Sequence, residues 1–192
     1  MTHYRNACAS GLRALFCTLA LAAAALGAAQ PLHAEEDELV AEAYASLAQQ
    51  PAIDFSIYAP GTIVVSTQSR RLHLVQGHGE VLTYPVGVGR AGRTWSGTGY
   101  ITGKYLRPAW SPPRAIRLVR PDLPDVVPAG SPKNPMGAAA MLHSVDQYAI
   151  HGTNAPSSIG GFVSFGCIRM YNEDVLDLYR RVRVGTRVVV LQ

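Results

Sequence analysis

Proline restricts the centre of this chain more than any other residue type. Each proline lacks a backbone N–H and fixes φ, so a stretch rich in proline forms neither a regular helix nor a central strand. A loop that runs from residue 121 to residue 135 inside a compact domain is usually functional or disordered. We therefore expect an irregular segment, for example a lid, at the five prolines Pro121, Pro124, Pro128, Pro132 and Pro135.

The segment before this loop has the β-branched content and alternation of strands. Residues 62–75 read as one strand, and the GHGE turn at residues 77–80 leads into a second strand over residues 81–89. Together they predict a β-hairpin.

The rest of the chain predicts further short strands and one helix. Residues 172–182 have acids early and arginines late, which fits a helix that Asn172 caps. No internal repeat is present. The predicted fold is a single, mostly β domain with one short helix and additional strands within residues 92–113, 138–152 and 185–191.

The first 34 residues have the order of a secretory signal peptide. Arg5 and Arg13 precede a Leu/Ala-rich run without charge, and small residues follow it. We expect cleavage after Ala34, with Ala29 as the second choice, and hence a periplasmic protein. An uncleaved membrane anchor is the alternative, since the uncharged run nears the length that spans a bilayer.

The predicted mature chain begins with an acidic leader and continues as a basic domain. Residues 35–59 are expected to form a leader helix and linker, and residues 60–192 the domain. Residues 35–50 carry five acids and no Lys or Arg, whereas residues 51–192 carry 15 basic and 8 acidic residues, a balance of 15 − 8 = +7. In an exported protein such a surface meets anionic lipid or the carboxylate-rich cell wall rather than nucleic acid, although an ordinary solvated surface explains it equally well.

One cysteine remains after the predicted cleavage. Cys8 and Cys17 leave with the signal peptide, so Cys167 has no partner for an internal disulfide. An unpaired cysteine in an exported protein indicates a reactive thiol or an intermolecular bond. The alternative is a small buried apolar side chain, which the neighbours Gly166 and Arg169 make less fitting.

A reactive thiol needs a base and donors for an oxyanion. His151, sixteen positions before Cys167, is the candidate base, since the Gly- and Ser-rich chain between them can fold back. The backbone N–H groups of Gly166 and Cys167 are candidates for an oxyanion hole. Arg169 can grip a substrate carboxylate, or alternatively form an ion pair with Glu173 or Asp174.

The remaining histidines receive weaker assignments. His143 lies eight residues before His151 and shares its face if both occupy one uninterrupted strand, where it would support the base. A zinc site from His143, His151 and Cys167 is a minor alternative, because the usual ligand spacings are missing. His73 and His78 are assigned to the surface.

The segment IHGTNAPSSIGGFVSFGCIRM, residues 150–170, resembles the signature of the L,D-transpeptidase catalytic domain of the YkuD type. The segments YPVGVG, VVPAGSPKNPMG and VGTRVVVL also resemble parts of this family, so the likeness covers about residues 60–192. It implies sandwich- or barrel-like β-sheets with a short helix after the cysteine loop.

The resemblance also implies cell-wall chemistry without a cofactor. Members use a cysteine to attack peptidoglycan stem peptides, release D-Ala, and pass the acyl group to an amine of another stem peptide or to a lysine of a protein. Matching residue by residue, Cys167 is the nucleophile, His151 the base, and Gly152 the residue whose carbonyl orients the imidazole. Substrate-binding positions are Ser164, Arg169, Thr153 and Asn154, and a carbapenem is expected to form an adduct at Cys167.

One position departs from the family pattern. Many members have histidine directly before the Gly-Cys pair, where this chain has Phe165, and we expect His151 to suffice as the base.

Two other functions stay open. One is an L,D-carboxypeptidase or other thiol hydrolase with the same site, and the other is a non-catalytic wall-binding protein. The absence of a CxxC motif disfavours a disulfide oxidoreductase.

Overall fold

The structure, a computed structural model, describes residues 52–192. The predicted signal peptide and the predicted leader helix up to residue 51 lie outside the described residues. None of the helices in residues 52–192 has the length and apolar character needed to cross a membrane.

The described residues form ten strands and two α-helices. Short 3₁₀ turns lie at Phe55–Ile57 and Pro156–Ser158. The helices are α1 (Arg114–Arg117) and α2 (Asn172–Arg181). The strands are β1 (Ile63–Ser66), β2 (Arg71–Gly77), β3 (Glu80–Pro85), β4 (Val88–Gly89), β5 (Gly97–Leu106), β6 (Ala139–His143), β7 (Ala149–His151), β8 (Phe162–Ser164), β9 (Ile168–Arg169) and β10 (Arg187–Leu191).

Eight strands form one sheet in the order β3-β2-β1-β10-β5-β6-β7-β9, and β4 pairs with β8 in a separate two-stranded sheet. Within the large sheet, β1 with β10 and β7 with β9 run parallel, and the other neighbours are antiparallel. This mostly β architecture confirms the predicted fold class.

Two predicted strands are in fact hairpins. The chain turns at residues 67–70, with Arg70 at φ +53°, so residues 62–75 form β1 and β2 of a meander that β3 completes. A second turn, with Asp146 at φ +50°, divides residues 138–152 into β6 and β7. Neither turn contains the Gly or Pro that would have marked it. In residues 92–113 the reverse holds, because β5 is one ten-residue strand where several short ones were expected.

Helix α2 packs on the sheet through Val175 and Leu178, which are fully buried. The Lys104 ammonium of β5 donates to the carbonyls of Tyr179 and Val182, at 2.6 Å for Tyr179, and so satisfies the C-terminal end of the helix. The buried core consists mainly of Ile63, Val65, Leu72, Leu74, Val86, Val88, Ile101, Met141, Ile150, Ile168, Met170, Val188 and Val190.

The predicted cap of α2 is wrong. Tyr171 occupies the cap position without a side-chain hydrogen bond, and Asn172 is the first helical residue. The Asn172 carboxamide turns away from the helix: its oxygen accepts from the N–H groups of Ala138 and Thr153, and its nitrogen donates to the Thr153 carbonyl. Asn172 therefore ties the helix to the exit of β7.

The proline-rich segment is irregular, as predicted, and it is anchored. Asn134 is buried within it. Its amide nitrogen donates to the carbonyls of Pro108 at 2.8 Å and Pro128 at 3.1 Å, and its oxygen accepts from Met136 N–H at 2.9 Å. These bonds fix the segment as a wall rather than a free loop. Helix α1, which precedes it, was not predicted.

We expect Asn134→Ala to lower the free energy of unfolding by about 2–4 kcal/mol, because the buried Asn134 amide bonds to two carbonyls and one N–H that would all lose their partner. Urea denaturation measures this change. Asn154→Ala is the matched control, since its exposed amide makes a single bond to Pro132, and its loss is expected to stay below about 1 kcal/mol. Equal losses in the two variants would contradict the anchoring role.

Candidate active site

The parallel pairing of β7 and β9 brings Cys167 and His151 together. Ile150 pairs with Ile168, which places Cys167 opposite Ala149 and two residues along the strand from His151. Residues two apart share a face. Strand spacing of about 4.8 Å and a rise of about 3.3 Å per residue put the two Cα atoms about 8 Å apart, within reach of their side chains.

Both side chains line one cleft of about 770 Å³. Its walls come from the end of β5, from α1 and the prolines before it, from the proline-rich segment, and from strands β6 to β9. Besides Cys167 and His151, the lining includes Tyr105, Pro108, Trp110, Pro112, Pro113, Arg114, Ile116, Pro135, Met136, Leu142, Gln147, Ser164, Phe165 and Arg169.

The imidazole of His151 is oriented by Gly152. Its Nδ1–H donates to the Gly152 carbonyl at 2.6 Å, so Nε2 carries the free lone pair. This contact is the one predicted for Gly152. Burial, aided by the charge of Arg169, lowers the pKa of His151 to about 4 and outweighs the opposing effect of the Gly152 and Pro135 carbonyls. At neutral pH the ring is uncharged and can take up a proton.

Cys167 rests as a thiol. Burial raises its pKa, and this outweighs the N–H of Ala149 and the positive charge of Arg169, which act in the opposite direction. The resting pair is therefore a neutral thiol and a neutral imidazole rather than a thiolate and an imidazolium.

Ser164 organises the loop that carries the cysteine. The Ser164 hydroxyl donates to the Cys167 carbonyl at 2.6 Å and accepts from Gly166 N–H at 3.0 Å. Gly166 has φ +124°, and a Cβ there would lie 2.1 Å from the Tyr148 ring, so only glycine fits. The Gly166 N–H predicted for the oxyanion hole is thus already engaged. The Cys167 N–H has no acceptor within residues 52–192.

Arg169 is a half-buried cation in the cleft. It forms no salt bridge within the part of the chain described, so the ion pair with Glu173 or Asp174 is not present. Its Nε is buried without a hydrogen-bond partner, and burial lowers its pKa. An unpaired guanidinium of this kind suits a carboxylate ligand.

Thr153 and Asn154 lie outside the cleft lining. Thr153 is buried, and its hydroxyl accepts from Ala155 N–H at 3.0 Å. Asn154 donates to the Pro132 carbonyl at 3.2 Å. These hydrogen bonds hold the chain beside the base and the wall of the cleft, and the expectation that the two side chains contact substrate stays a prediction.

His143 does not support His151. The turn after β6 reverses the chain, so Ala140, not His143, pairs with His151, and His143 belongs to the opposite face of the hairpin. Its Nδ1 accepts from Val145 N–H at 3.0 Å. The alternative zinc set is likewise not assembled, and no group of three or more His, Cys, Asp or Glu side chains within residues 52–192 is arranged to hold a metal. His78 is exposed as expected, whereas His73 is half-buried against Phe55.

Three residues important for the geometry were not foreseen as site residues: Asn172, Trp95 and Tyr148. The sequence offered one indication for Asn172, since the residue types that cap helices have side chains that readily bond to backbone groups. Trp95 donates to the Gly166 carbonyl and stacks on Tyr148, across 71 and 53 residues of sequence. Only an unusual tryptophan in a Gly-rich stretch marks it in the sequence.

Stability should depend on pH through His151. Its pKa of about 4 in the fold lies below the ordinary 6.5, so between these values the unfolded chain binds a proton that the folded chain does not. Stability is fully present above pH 6.5 and falls by about 3 kcal/mol as the pH decreases to 4. Denaturation of wild type and His151→Gln at pH 7 and pH 4.5 measures this, because effects of other groups cancel in the difference. Parallel losses in both proteins would contradict it.

Comparison with known proteins agrees with this geometry. A sequence profile of the L,D-transpeptidase catalytic domain (YkuD) matches residues 60–190. The probable L,D-transpeptidase YbiS of Escherichia coli K12 is 40% identical over 136 residues, which cover 67% of this chain and 43% of YbiS. The chain thus matches less than half of that relative's length.

Solved structures show the same fold at low identity. The L,D-transpeptidase from Mycobacterium smegmatis superposes with a TM-score of 0.53 at 22% identity, covering 70% of this chain and 59% of that chain. The L,D-transpeptidase LdtMt1 in complex with imipenem superposes with a TM-score of 0.50 at 21% identity, covering 68% and 58%. With the profile match across most of the described residues, the chain belongs to the L,D-transpeptidase catalytic domain (YkuD) family.

Proposed function

We propose that this protein is a periplasmic L,D-transpeptidase that acts on peptidoglycan stem peptides through a thioester on Cys167. The observation that carries the proposal is the placement of Cys167 and His151 on one face of adjacent strands, in one cleft, with the His151 tautomer set by the Gly152 carbonyl. Related proteins named as L,D-transpeptidases supply the reaction class.

In the first half-reaction, the Cys167 sulfur attacks the carbonyl between the third residue of the stem and D-Ala. His151 Nε2 accepts the thiol proton, and the Cys167 N–H donates to the oxyanion of the tetrahedral intermediate. When the intermediate collapses, the C–N bond breaks and His151 returns the proton to the amine of D-Ala. The products are free D-Ala and a thioester at Cys167.

In the second half-reaction an amine attacks the thioester. His151 takes a proton from the amine, a new amide bond forms, and the proton returns to the departing sulfur. The acceptor amine comes from the diaminopimelate side chain of another stem, which gives a 3→3 crosslink, or from the lysine of a protein that becomes attached to the wall. Both acceptors supply the same nucleophile, a primary amine.

Charged residues of the site suit such substrates. Arg169 is half-buried, unpaired in the described chain and located in the cleft, so it can bind a stem carboxylate. A second pocket of about 400 Å³ also reaches Cys167 and is lined by Arg93, Arg114, Asp146, Tyr148 and Phe165 among others. A site with room on two sides of Cys167 suits a reaction with two substrates, that is, transfer to an amine.

The location rests on the N-terminal sequence. The basic and apolar order of residues 1–34 supports export, and the basic balance of residues 51–192 suits the carboxylate-rich wall. A protein that retains the fold only to bind the wall would need neither an oriented imidazole nor a cysteine in the same cleft. Thioester chemistry therefore explains the site better than binding alone.

Product analysis tests the proposal. We expect the purified protein, incubated with tetrapeptide-stem muropeptides, to release D-Ala and to yield dimers crosslinked between diaminopimelate residues in mass spectrometry. Cys167→Ser is the control and should yield neither product. If only trimmed tripeptides and no dimers form, the activity is that of a carboxypeptidase rather than a transferase. If no product forms, the proposal that the protein is an enzyme is contradicted.

A second test addresses Phe165. Its ring stacks under the Arg90 guanidinium at 3.9 Å and so already has a packing role. We expect Phe165→His to form the imipenem adduct at Cys167 within about threefold of the wild-type rate, whereas His151→Gln should be slower by about 100-fold or more. Intact-protein mass spectrometry follows the adduct. A large acceleration by Phe165→His would show that His151 alone is insufficient.

A further inference from the structure

We infer that Trp95 is a positioning residue for the thioester chemistry proposed above, on which this inference rests. Trp95 lies in the irregular segment between β4 and β5. Its indole Nε1–H donates to the carbonyl oxygen of Gly166 at 2.9 Å, next to the nucleophile. The bond joins two parts of the chain that are 71 residues apart.

The Gly166 carbonyl and the Cys167 N–H belong to the same peptide unit. A trans peptide is planar, and its C=O and N–H point in opposite directions. A donor that holds the Gly166 oxygen therefore fixes the direction of the Cys167 N–H as well.

The neighbouring polar groups of the loop are occupied. Gly166 N–H donates to the Ser164 hydroxyl, and the Cys167 carbonyl accepts from the same hydroxyl. The Cys167 N–H has no acceptor in residues 52–192 and is therefore available to an oxyanion. Trp95 acts on the donor that the reaction needs without touching substrate itself.

Trp95 is itself held in place. Its ring stacks on Tyr148 with centroids 5.2 Å apart and planes 18° apart. The same Tyr148 ring lies against Gly166, where an added Cβ would approach it to 2.1 Å. The indole, the phenol and the Gly166–Cys167 peptide therefore form one packed unit, and Trp95 packs against the core.

Two reactions of Cys167 distinguish positioning from general packing. Acylation by imipenem passes through a tetrahedral oxyanion, whereas alkylation by iodoacetamide displaces iodide from a saturated carbon and forms no oxyanion. Trp95→Phe keeps an aromatic ring on Tyr148 and removes the N–H donor. We expect its maximal acylation rate to fall about tenfold or more, with the half-saturating imipenem concentration and the alkylation rate within about twofold of wild type.

Tyr84→Phe is the matched control. It also removes one side-chain donor and keeps the ring, since the Tyr84 hydroxyl donates to Asp177 at 2.7 Å, away from the cleft. Both of its rates are expected to match wild type. The inference is overturned if Trp95→Phe acylates like wild type, or if acylation and alkylation decrease together. Failure of wild type itself to form the adduct would instead overturn the proposed function, and this inference with it.

A measurement on the unaltered protein covers the case in which Trp95→Phe does not fold. In ¹H–¹⁵N spectra, the Trp95 indole N–H should be protected from exchange with D₂O and should shift when imipenem adds to Cys167. An indole N–H that exchanges as fast as an exposed one would refute the bond to Gly166 and with it the positioning role.

Discussion

The site depends on the parallel register between β7 and β9. Met170 N–H donates to the His151 carbonyl at 2.8 Å, which fixes the base strand against the cysteine strand. On its other side, β9 is held by two hydrogen bonds between Arg169 and Gly87, at 2.8 and 2.9 Å. A strand of two residues would not be stable alone, yet with neighbours on both sides it holds the nucleophile firmly. A shift of one residue would turn Cys167 to the opposite face from His151.

Around this pairing, side chains bond to backbone rather than to each other. Ser164 closes the cysteine loop, Asn172 holds the chain after the base, and Asn134 fixes the proline-rich wall. Each amide or hydroxyl supplies hydrogen-bond partners that the irregular backbone would otherwise lack. The cleft can therefore be built largely from loops and short strands while its reactive groups keep one geometry.

The sequence predicted what local pattern and motif determine. The mostly β class, the hairpin of β2 and β3, the irregular proline segment, and the contact between Gly152 and His151 all agree with the structure. The turns after Ser66 and His143 escaped prediction because no Gly or Pro marks them, and Arg70 and Asp146 adopt the positive φ instead. Because the turn after His143 was missed, His143 was predicted on the wrong face of the hairpin. The roles of Trp95 and Asn172 could not be predicted, since each side chain bonds to a partner that is distant in sequence.

The raised pKa of Cys167 has a consequence for the resistance of this residue to oxidation. Oxidants attack the thiolate far more readily than the protonated sulfur, so a cysteine whose pKa is raised by burial is a poor target for them. A thiol that stays protonated at rest is less reactive than a thiolate but more resistant to oxidation. The burial that raises the pKa of Cys167 therefore also protects its sulfur from oxidants.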